Sequence, residues 1–404
     1  MAKSGPGLPR RGLAAIPRSV WALGIVSLCM DLSSELIHSL LPLYMSIVLG
    51  ASALTIGIIE GIAEGLALIV KVISGVWSDV VRKRKAIVVI GYGMAALTKV
   101  IFPLAHTLGW IVAARFADRI GKGIRGAPRD ALIADITPVE MRGASFGLRQ
   151  ALDTVGGIGG PLLALAAMAY FADDFRESFW LAVVPAFICV VVLVVGVHEP
   201  AQVGGGDEQP PLRMTDAKRF PARYWIVVAI AAVFTLARFS EAFLVLRAQN
   251  VGLRVALVPW VMVIMSFVYA LVAYPAGVAA DRGHGAKLLW SGLVALIVAD
   301  LVLASASTSA VVFVGAALWG LHMGLTQGLL AALVAGAAPA DLRGSAFGVF
   351  NLASGIALLV ASALAGWLWD AYGPRFTFYA GALFTAVALL GLLARGGDVG
   401  RLER

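Results

Sequence analysis

Asp31, Glu35 and His38 stand at i, i+4 and i+7 of an otherwise apolar run, a spacing that puts all three on one face of a helix. Glu60 and Glu64 share one face of the next apolar run. Arg115, Asp118, Arg119, Lys122 and Arg125 form a polar stripe further on. Arg149 and Asp153 lie one turn apart, Arg238 and Glu241 fall together in the second half of the chain, and Asp300 and His322 stand alone. An ionisable side chain at mid-bilayer costs about 2.5–3.5 kcal/mol on insertion scales, so each needs a partner or a water-filled path. A carboxylate on such a path can exchange protons as its exposure alternates, and an arginine can pair with that carboxylate or with an anionic solute. The other use of the same residues is pairing across helices that holds the bundle together.

The elements that carry these charges must be membrane spans. Apolar residues make up 60% of the 404 positions and charged residues 14%, with a mean hydropathy of +0.89. Roughly a quarter charged is usual for a soluble chain, so the excess apolar surface is expected to face lipid. The net charge of +8 is spread over short basic loops, which argues against nucleic acid as a partner. Cys29 and Cys189 sit in apolar runs and imply no disulfide framework.

A span needs about 20 mostly apolar residues, and twelve such runs are present. They are Trp21–Tyr44, Leu54–Trp77, Ala86–Ala105, Leu108–Ile124, Gly143–Tyr170 and Phe179–Val197, then Tyr224–Arg247, Ala256–Ala280, Ala286–Ser305, Ala310–Val334, Gly344–Trp369 and Phe376–Ala394. Basic residues cluster before the first run and after every even-numbered one, as in Arg82-Lys83-Arg84-Lys85, which by the positive-inside rule puts both termini in the cytoplasm. The first run is too long and too charged for a cleaved signal peptide. The glycine- and proline-containing stretch 198–223 has linker composition, separating an N-terminal bundle (1–197) from a C-terminal one (224–404).

The two halves repeat. Gly75-Val76-Trp77-Ser78-Asp79 after the second run recurs as Gly277-Val278-Ala279-Ala280-Asp281 after the eighth. Pro138-Val139-Glu140-Met141-Arg142-Gly143 recurs as Pro339-Ala340-Asp341-Leu342-Arg343-Gly344. Parallel halves with a site at the midplane between them are a transporter architecture. Glycine at a span end lets a neighbouring helix approach, and an aspartate there can cap a helix or pair with arginines of adjacent loops. Gly75, Asp79, Arg82, Arg142, Gly277, Asp281, Arg282 and Arg343 are therefore expected to form a conformational latch, with orientation by positive charge alone as the other reading.

Over essentially the whole chain these features resemble the major facilitator superfamily. Gly75-x-x-x-Asp79-Val80-Val81-Arg82-Lys83-Arg84 is similar to that family's Gly-x-x-x-Asp-Arg-x-Gly-Arg-Arg, without the internal arginine and glycine. The later copy keeps Asp281-Arg282, with its glycine one place late at Gly285. Arg119-Ile120-Gly121-Lys122-Gly123 looks like the family's Arg-x-x-Gln-Gly, with lysine in place of glutamine. Gly156-Gly157-Ile158-Gly159-Gly160-Pro161 looks like the glycine–proline motif of its proton-coupled antiporters, with Gly156, Gly160 and Pro161 in the packing role. Asp118 to Arg125, with Pro128-Arg129-Asp130, is similar to a prokaryotic branch of the superfamily.

The resemblance implies an all-α membrane protein of twelve transmembrane helices in two pseudo-symmetric six-helix bundles. It implies that spans one, four, seven and ten line a central cavity. Asp31, Glu35, Arg115, Asp118, Arg119, Arg238, Glu241 and His322 then become candidates for the solute and proton path, joined by Glu60 and Glu64. The expected protein is a monomer in the bilayer of a prokaryotic cytoplasmic membrane, with small solutes and protons as its partners and no cofactor.

Its expected task is proton-coupled secondary transport by rocker-switch alternating access, with export of organic compounds as the direction. A metal ion or metal chelate, suggested by the carboxylates near His38, and a small organic anion, suggested by the arginines of span four, are the alternative cargoes. A non-transporting receptor or scaffold is the alternative of another class. No phosphate loop of a primary pump, no nucleophile–base set and no metal-ligand spacing occurs, so neither an enzyme nor a dedicated metal site is expected.

Overall fold

The computed structural model describes residues 16–81, 83–138, 141–199, 219–339 and 343–393. Arg82 and most of the 198–223 linker lie outside these, as do the side chains of Asp79, Asp281 and Arg343. Regular structure is helical throughout the described residues: α1 (Arg18–Leu43), α2 (Ala53–Val81), α3 (Arg84–Leu104), α4 (Leu108–Ile136), α5 (Arg142–Tyr170), α6 (Phe175–Gly196), α7 (Ala222–Ala237), α8 (Ala242–Asn250), α9 (Trp260–Ala279), α10 (Gly285–Ser305), α11 (Ser309–Ala337), α12 (Arg343–Tyr372) and α13 (Pro374–Leu393). Helices are the form in which a chain crossing lipid satisfies its backbone internally. Helices α7 and α8 together make the seventh span, so the thirteen helices form twelve spans.

Among the described residues, eleven segments are long and apolar enough to cross a membrane. The remaining one is α4, at 29 residues, whose charged stripe breaks its apolar run. Large apolar side chains such as Ile90, Leu97, Val191, Val195, Leu271 and Leu390 are exposed along the helices, as a lipid-facing surface requires.

The repeat extends from motifs to helices. Leu108–Ile136 recurs as Ser309–Ala337, and Arg84–Leu104 as Gly285–Ser305, each displaced by 201 residues. Neighbour relations recur with it. In the first half α1 packs on α5 and α6, while α4 packs on α2 and α3. In the second half α7 packs on α12 and α13, while α11 packs on α9 and α10.

Two helices depart from the expected spans. The fourth was expected to end at Ile124 but continues through Pro128 to Ile136. Its added turns are held by polar contacts: Arg129 donates to Ser27 Oγ and Tyr92 Oη at 3.2 and 3.3 Å, and Asp135 pairs with Arg84. The seventh, expected to be continuous, is interrupted at residues 238–241.

The halves meet through α2–α12, α5–α9 and α1–α8. Glycines set the closeness of the first contact. A Cβ on Gly61 would lie 2.8 Å from Leu359 Cα, and one on Gly65 would lie 3.3 Å from the Gly355 carbonyl. At the end of the bundle away from the described chain ends, Asp370 of α12 accepts hydrogen bonds from the Ala53 and Leu54 amides at 3.1 and 2.9 Å. One half thus caps the first helical turn of the other, satisfying amides that have no partner within α2.

Removing this cap by Asp370→Ala is expected to cost the closed arrangement about 1 kcal/mol, roughly a fivefold change in population. Spin labels at Val48 and Tyr372 should report a broader, longer distance distribution, and Asp370→Asn, which still caps, should restore the wild-type one. An unchanged distribution in Asp370→Ala would mean that the cap does not hold the halves.

Candidate functional site

The charged faces of α1, α2 and α4 converge on one network, to which α3 adds a lysine. At its centre Arg115 of α4 donates from Nε to Glu60 Oε1 of α2 at 3.0 Å, and Nη2 engages the other oxygen. These side chains are 2% and 0% exposed. Two parallel bonds of this kind suit the planar fork of arginine and the carboxylate. Arg115 Nη2 also lies 3.1 Å from His38 Nδ1 on α1 and 3.7 Å from Glu64 Oε1, which sits 3.3 Å from Arg119 Nη1. Since a guanidinium only donates, His38 Nδ1 must accept, which leaves the ring proton on Nε2.

That second nitrogen points across the molecule. His38 Nε2 is 3.8 Å from Glu241 Oε2, at the break in the seventh span. With its proton on Nε2, the His38 ring faces the Glu241 carboxylate of the opposite half.

A residue that the sequence reading passed over completes the network. Lys99 of α3 is buried, pairs with Asp118 Oδ1 at 2.8 Å and donates to Ser34 Oγ at 3.1 Å. The signal was present: a lone lysine deep in an apolar run has to find a carboxylate. Arg125 is also buried, with its guanidinium carbon 4.6 Å from the centre of the Tyr92 ring, a cation–π placement.

Burial divides the candidates. Glu60, Arg115, Asp118 and Arg119 are buried, whereas Asp31, Glu35, Glu64, Arg238 and Glu241 are partly accessible and Lys122 is exposed. Asp31 has Asp153 of α5 beside it, with Lys122 and Glu35 as further charged neighbours. Asp153 in turn pairs with Arg149 at 3.6 Å. The glycine motif of α5 creates this proximity. A Cβ on Gly156 would sit 3.0 Å from Asp31 Cβ, and one on Gly160 would sit 2.6 Å from Glu35 Cβ; Pro161 follows, buried. Only glycine lets the backbone of α5 lie this close to the acidic face of α1.

His322 is set apart from the network. It is fully buried on α11, with Nδ1 2.8 Å from the Gly292 carbonyl and its ring 5.3 Å from that of Phe234. At the break itself, the Ser240 amide donates to Ser362 Oγ at 3.1 Å and Ser240 Oγ accepts from the Ala242 amide, which starts α8. Among the described residues no donor reaches the carbonyls of Leu236, Ala237, Arg238 or Phe239.

The two copies of the loop motif differ. A Cβ on Gly75 would lie 3.3 Å from Ala127 Cβ, so α2 and α4 are close there, but Gly277 faces open space. Arg84, in the basic run, pairs with Asp135 of its own half. Arg142 and Arg282 are exposed. Among the described residues no group of three or more His, Cys, Asp or Glu side chains is placed to hold a metal ion.

The sequence matches the Major Facilitator Superfamily profile over residues 23–248 and 226–401. It is 32% identical over 386 residues to an uncharacterised MFS-type transporter of Methanocaldococcus jannaschii, covering 94% of this chain and 95% of the relative. Similarity to the quinolone resistance protein NorA of Staphylococcus aureus is 22% identity over 220 residues, covering 54% and 55%. Among solved structures, the crystal structure of the nucleoside transporter NupG superposes with a TM-score of 0.78 at 14% identity, covering 93% of this chain and 99% of that one. With its twelve spans in two repeated halves, the chain belongs to the major facilitator superfamily of membrane transporters.

Proposed function

We propose that this protein is a proton-coupled exporter of small organic solutes, working by alternating access in a prokaryotic cytoplasmic membrane as a monomer with both termini inside. The observation that carries this reading is the set of accessible carboxylates, Asp31, Glu35, Glu64 and Glu241, around a buried core in which Glu60 pairs with Arg115 and Asp118 with Lys99. The repeated halves supply the moving parts. Short basic loops after the even-numbered spans support the orientation, and the resistance named for the Staphylococcus aureus relative is consistent with the direction.

The coupling follows from desolvation. When the halves rock and the cavity closes, an accessible carboxylate must leave water, and an unpaired charge withdrawn into a low-dielectric interior costs several kcal/mol. Closure therefore favours a carboxylate neutralised by a proton or by a cationic solute. Asp31 and Asp153 sharpen the requirement, because two adjacent carboxylates resist being ionised together. If proton and solute compete for the same carboxylates, each crosses only when the other has left, and the result is exchange.

In this scheme the buried pairs are structural. Arg115–Glu60 and Lys99–Asp118 pin α2, α3 and α4 together and hold the carbon framework that presents Asp31 and Glu35.

Everted vesicles offered ethidium or a quinolone with an imposed pH gradient separate the two roles. Asp31→Asn and Glu35→Gln should each lower gradient-driven uptake at least tenfold and weaken the pH dependence of probe binding. Normal coupling in both variants would refute the proton assignment. For the structural pair, Lys99→Met should cost about 3–5 kcal/mol by stranding the Asp118 charge. The double variant Lys99→Met/Asp118→Asn should recover most of this in thermal unfolding and keep proton coupling. Loss of coupling in a stably folded double variant would move this pair onto the path.

A further inference from the structure

Asp300, on α10, is the charge that the network above does not use. It is 0% exposed, and neither carboxylate oxygen has a hydrogen-bond partner among the described residues. Every other wholly buried acid described here faces a cation: Glu60 has Arg115 and Asp118 has Lys99. An unpaired, unsolvated carboxylate is among the most expensive things a protein interior can hold, whereas a neutral carboxylic acid is tolerated there.

The surroundings are specific. Gly381 of α13 makes the space, since a Cβ there would lie 2.5 Å from Asp300 Oδ2. That same point lies 3.0 Å from Cε1 of Phe239, which belongs to the break between α7 and α8. The ring of Phe239 packs on Trp319, Phe243 and Phe378 at 5.3–5.6 Å between centres. Trp319 Nε1 is itself buried without a partner, so two orphaned polar groups flank one aromatic ring.

The residue before Phe239 is Arg238. It is partly accessible, its guanidinium carbon lies 5.9 Å from the centre of the Phe234 ring, and no ion pair reaches it among the described residues. Among the described residues, the carbonyls of residues 236–239 are also without donors. A segment free of its helical hydrogen bonds can change its path at low cost, because little bonding has to be broken.

We propose that Asp300 is a proton-binding site in the C-terminal half, closed off by Phe239, and that it releases its proton when the break rearranges and brings Arg238 toward it. The step is balanced: the Asp300 O–H bond breaks, the proton passes to cavity water, and the carboxylate left behind is neutralised by the guanidinium. Other titratable groups on the elements packed around α10 are Glu241 at the break, Arg247 on α8, which donates to the Leu303 and Ala304 carbonyls at the end of α10, Arg282 and His284 ahead of α10, His322 on α11 and Arg375 on α13, and none of them pairs with Asp300. Glu241 and Arg238 share the break, so occupancy of the His38–Glu241 bridge and of Asp300 would be linked through four residues of backbone.

The test needs no transported solute and so stands or falls apart from the transport reading. Purified protein in lipid nanodiscs is examined by infrared spectroscopy for the carbonyl stretch of a protonated carboxyl in apolar surroundings, with deuterium exchange to confirm it. The wild type should show this band at neutral pH and lose it as pH rises. Asp300→Asn should lack it from the start, and Asp31→Asn should keep it.

Arg238→Gln, which removes the waiting cation, should move the midpoint of loss up by about one pH unit or more, a tenfold change in proton affinity. If Asp300→Asn does not fold, the Arg238→Gln titration carries the test alone. A band that survives in Asp300→Asn would overturn the proposal. So would one that does not titrate before unfolding, as for a merely buried neutral acid, or one that titrates identically in Arg238→Gln.

Discussion

A guanidinium and a carboxylate held out of water at the middle of a membrane protein have to be matched atom for atom, and the Arg115–Glu60 pair sets the terms for the rest of this fold. Breaking such a pair from one side strands a charge at a cost of about 3–5 kcal/mol, so α2 and α4 are constrained to one relative position. His38 must then offer Nδ1 to Arg115, which fixes its tautomer and directs its other nitrogen at Glu241 of the opposite half. Lys99 does the same for Asp118 from α3. With these charges satisfied, Asp31, Glu35, Glu64 and Glu241 remain partly accessible.

Close backbone approach is the second constraint, and it serves both rigidity and motion. Within the first half, Gly156 and Gly160 let α5 lie directly on the acidic face of α1. Between the halves, Gly61, Gly65 and Gly355 let α2 and α12 meet, and Asp370 caps α2 from across that boundary. Elsewhere in the first half, buried charge pairs that are costly to break join α4 to α2 and α3. The inter-half contacts rest on packing, the His38–Glu241 contact and one capping carboxylate worth about 1 kcal/mol. A bundle built this way yields between its halves before it yields within them.

Much of this was legible in the sequence because the underlying signals are strong and local. Twenty-residue apolar runs and basic loops define spans, and the repeated Gly-x-x-x-Asp and Pro-x-x-x-Arg-Gly motifs define halves. The charges on α1, α2 and α4 were recognisable as misfits in lipid. Partnership was not legible, because Lys99 and Asp118 are drawn together by the packing of α3 on α4 rather than by their spacing.

The break in the seventh span was hidden as well. Residues 224–247 are apolar enough to continue a helix, and the Ser240 amide leaves it for a hydroxyl on α12 that sequence spacing cannot place. Helix α4 ran past its apolar limit for the converse reason: its last turns are held by Ser27, Tyr92 and Arg84 from other helices. Asp300 was visible as an isolated acid, but its lack of any partner is a fact of three dimensions.

The charge network reaches across both halves through His38 and Glu241, and in the proposed function its protonation sets how the halves sit. The most direct measurement places spin labels at Ile73 and Tyr274 and follows their distance distribution in nanodiscs from about pH 6 to about pH 8, a range that brackets the ordinary histidine value. The account predicts a pH-dependent shift between two populations in the wild type that disappears in both Glu241→Gln and His38→Gln. A shift of the same size and midpoint in both variants would contradict it.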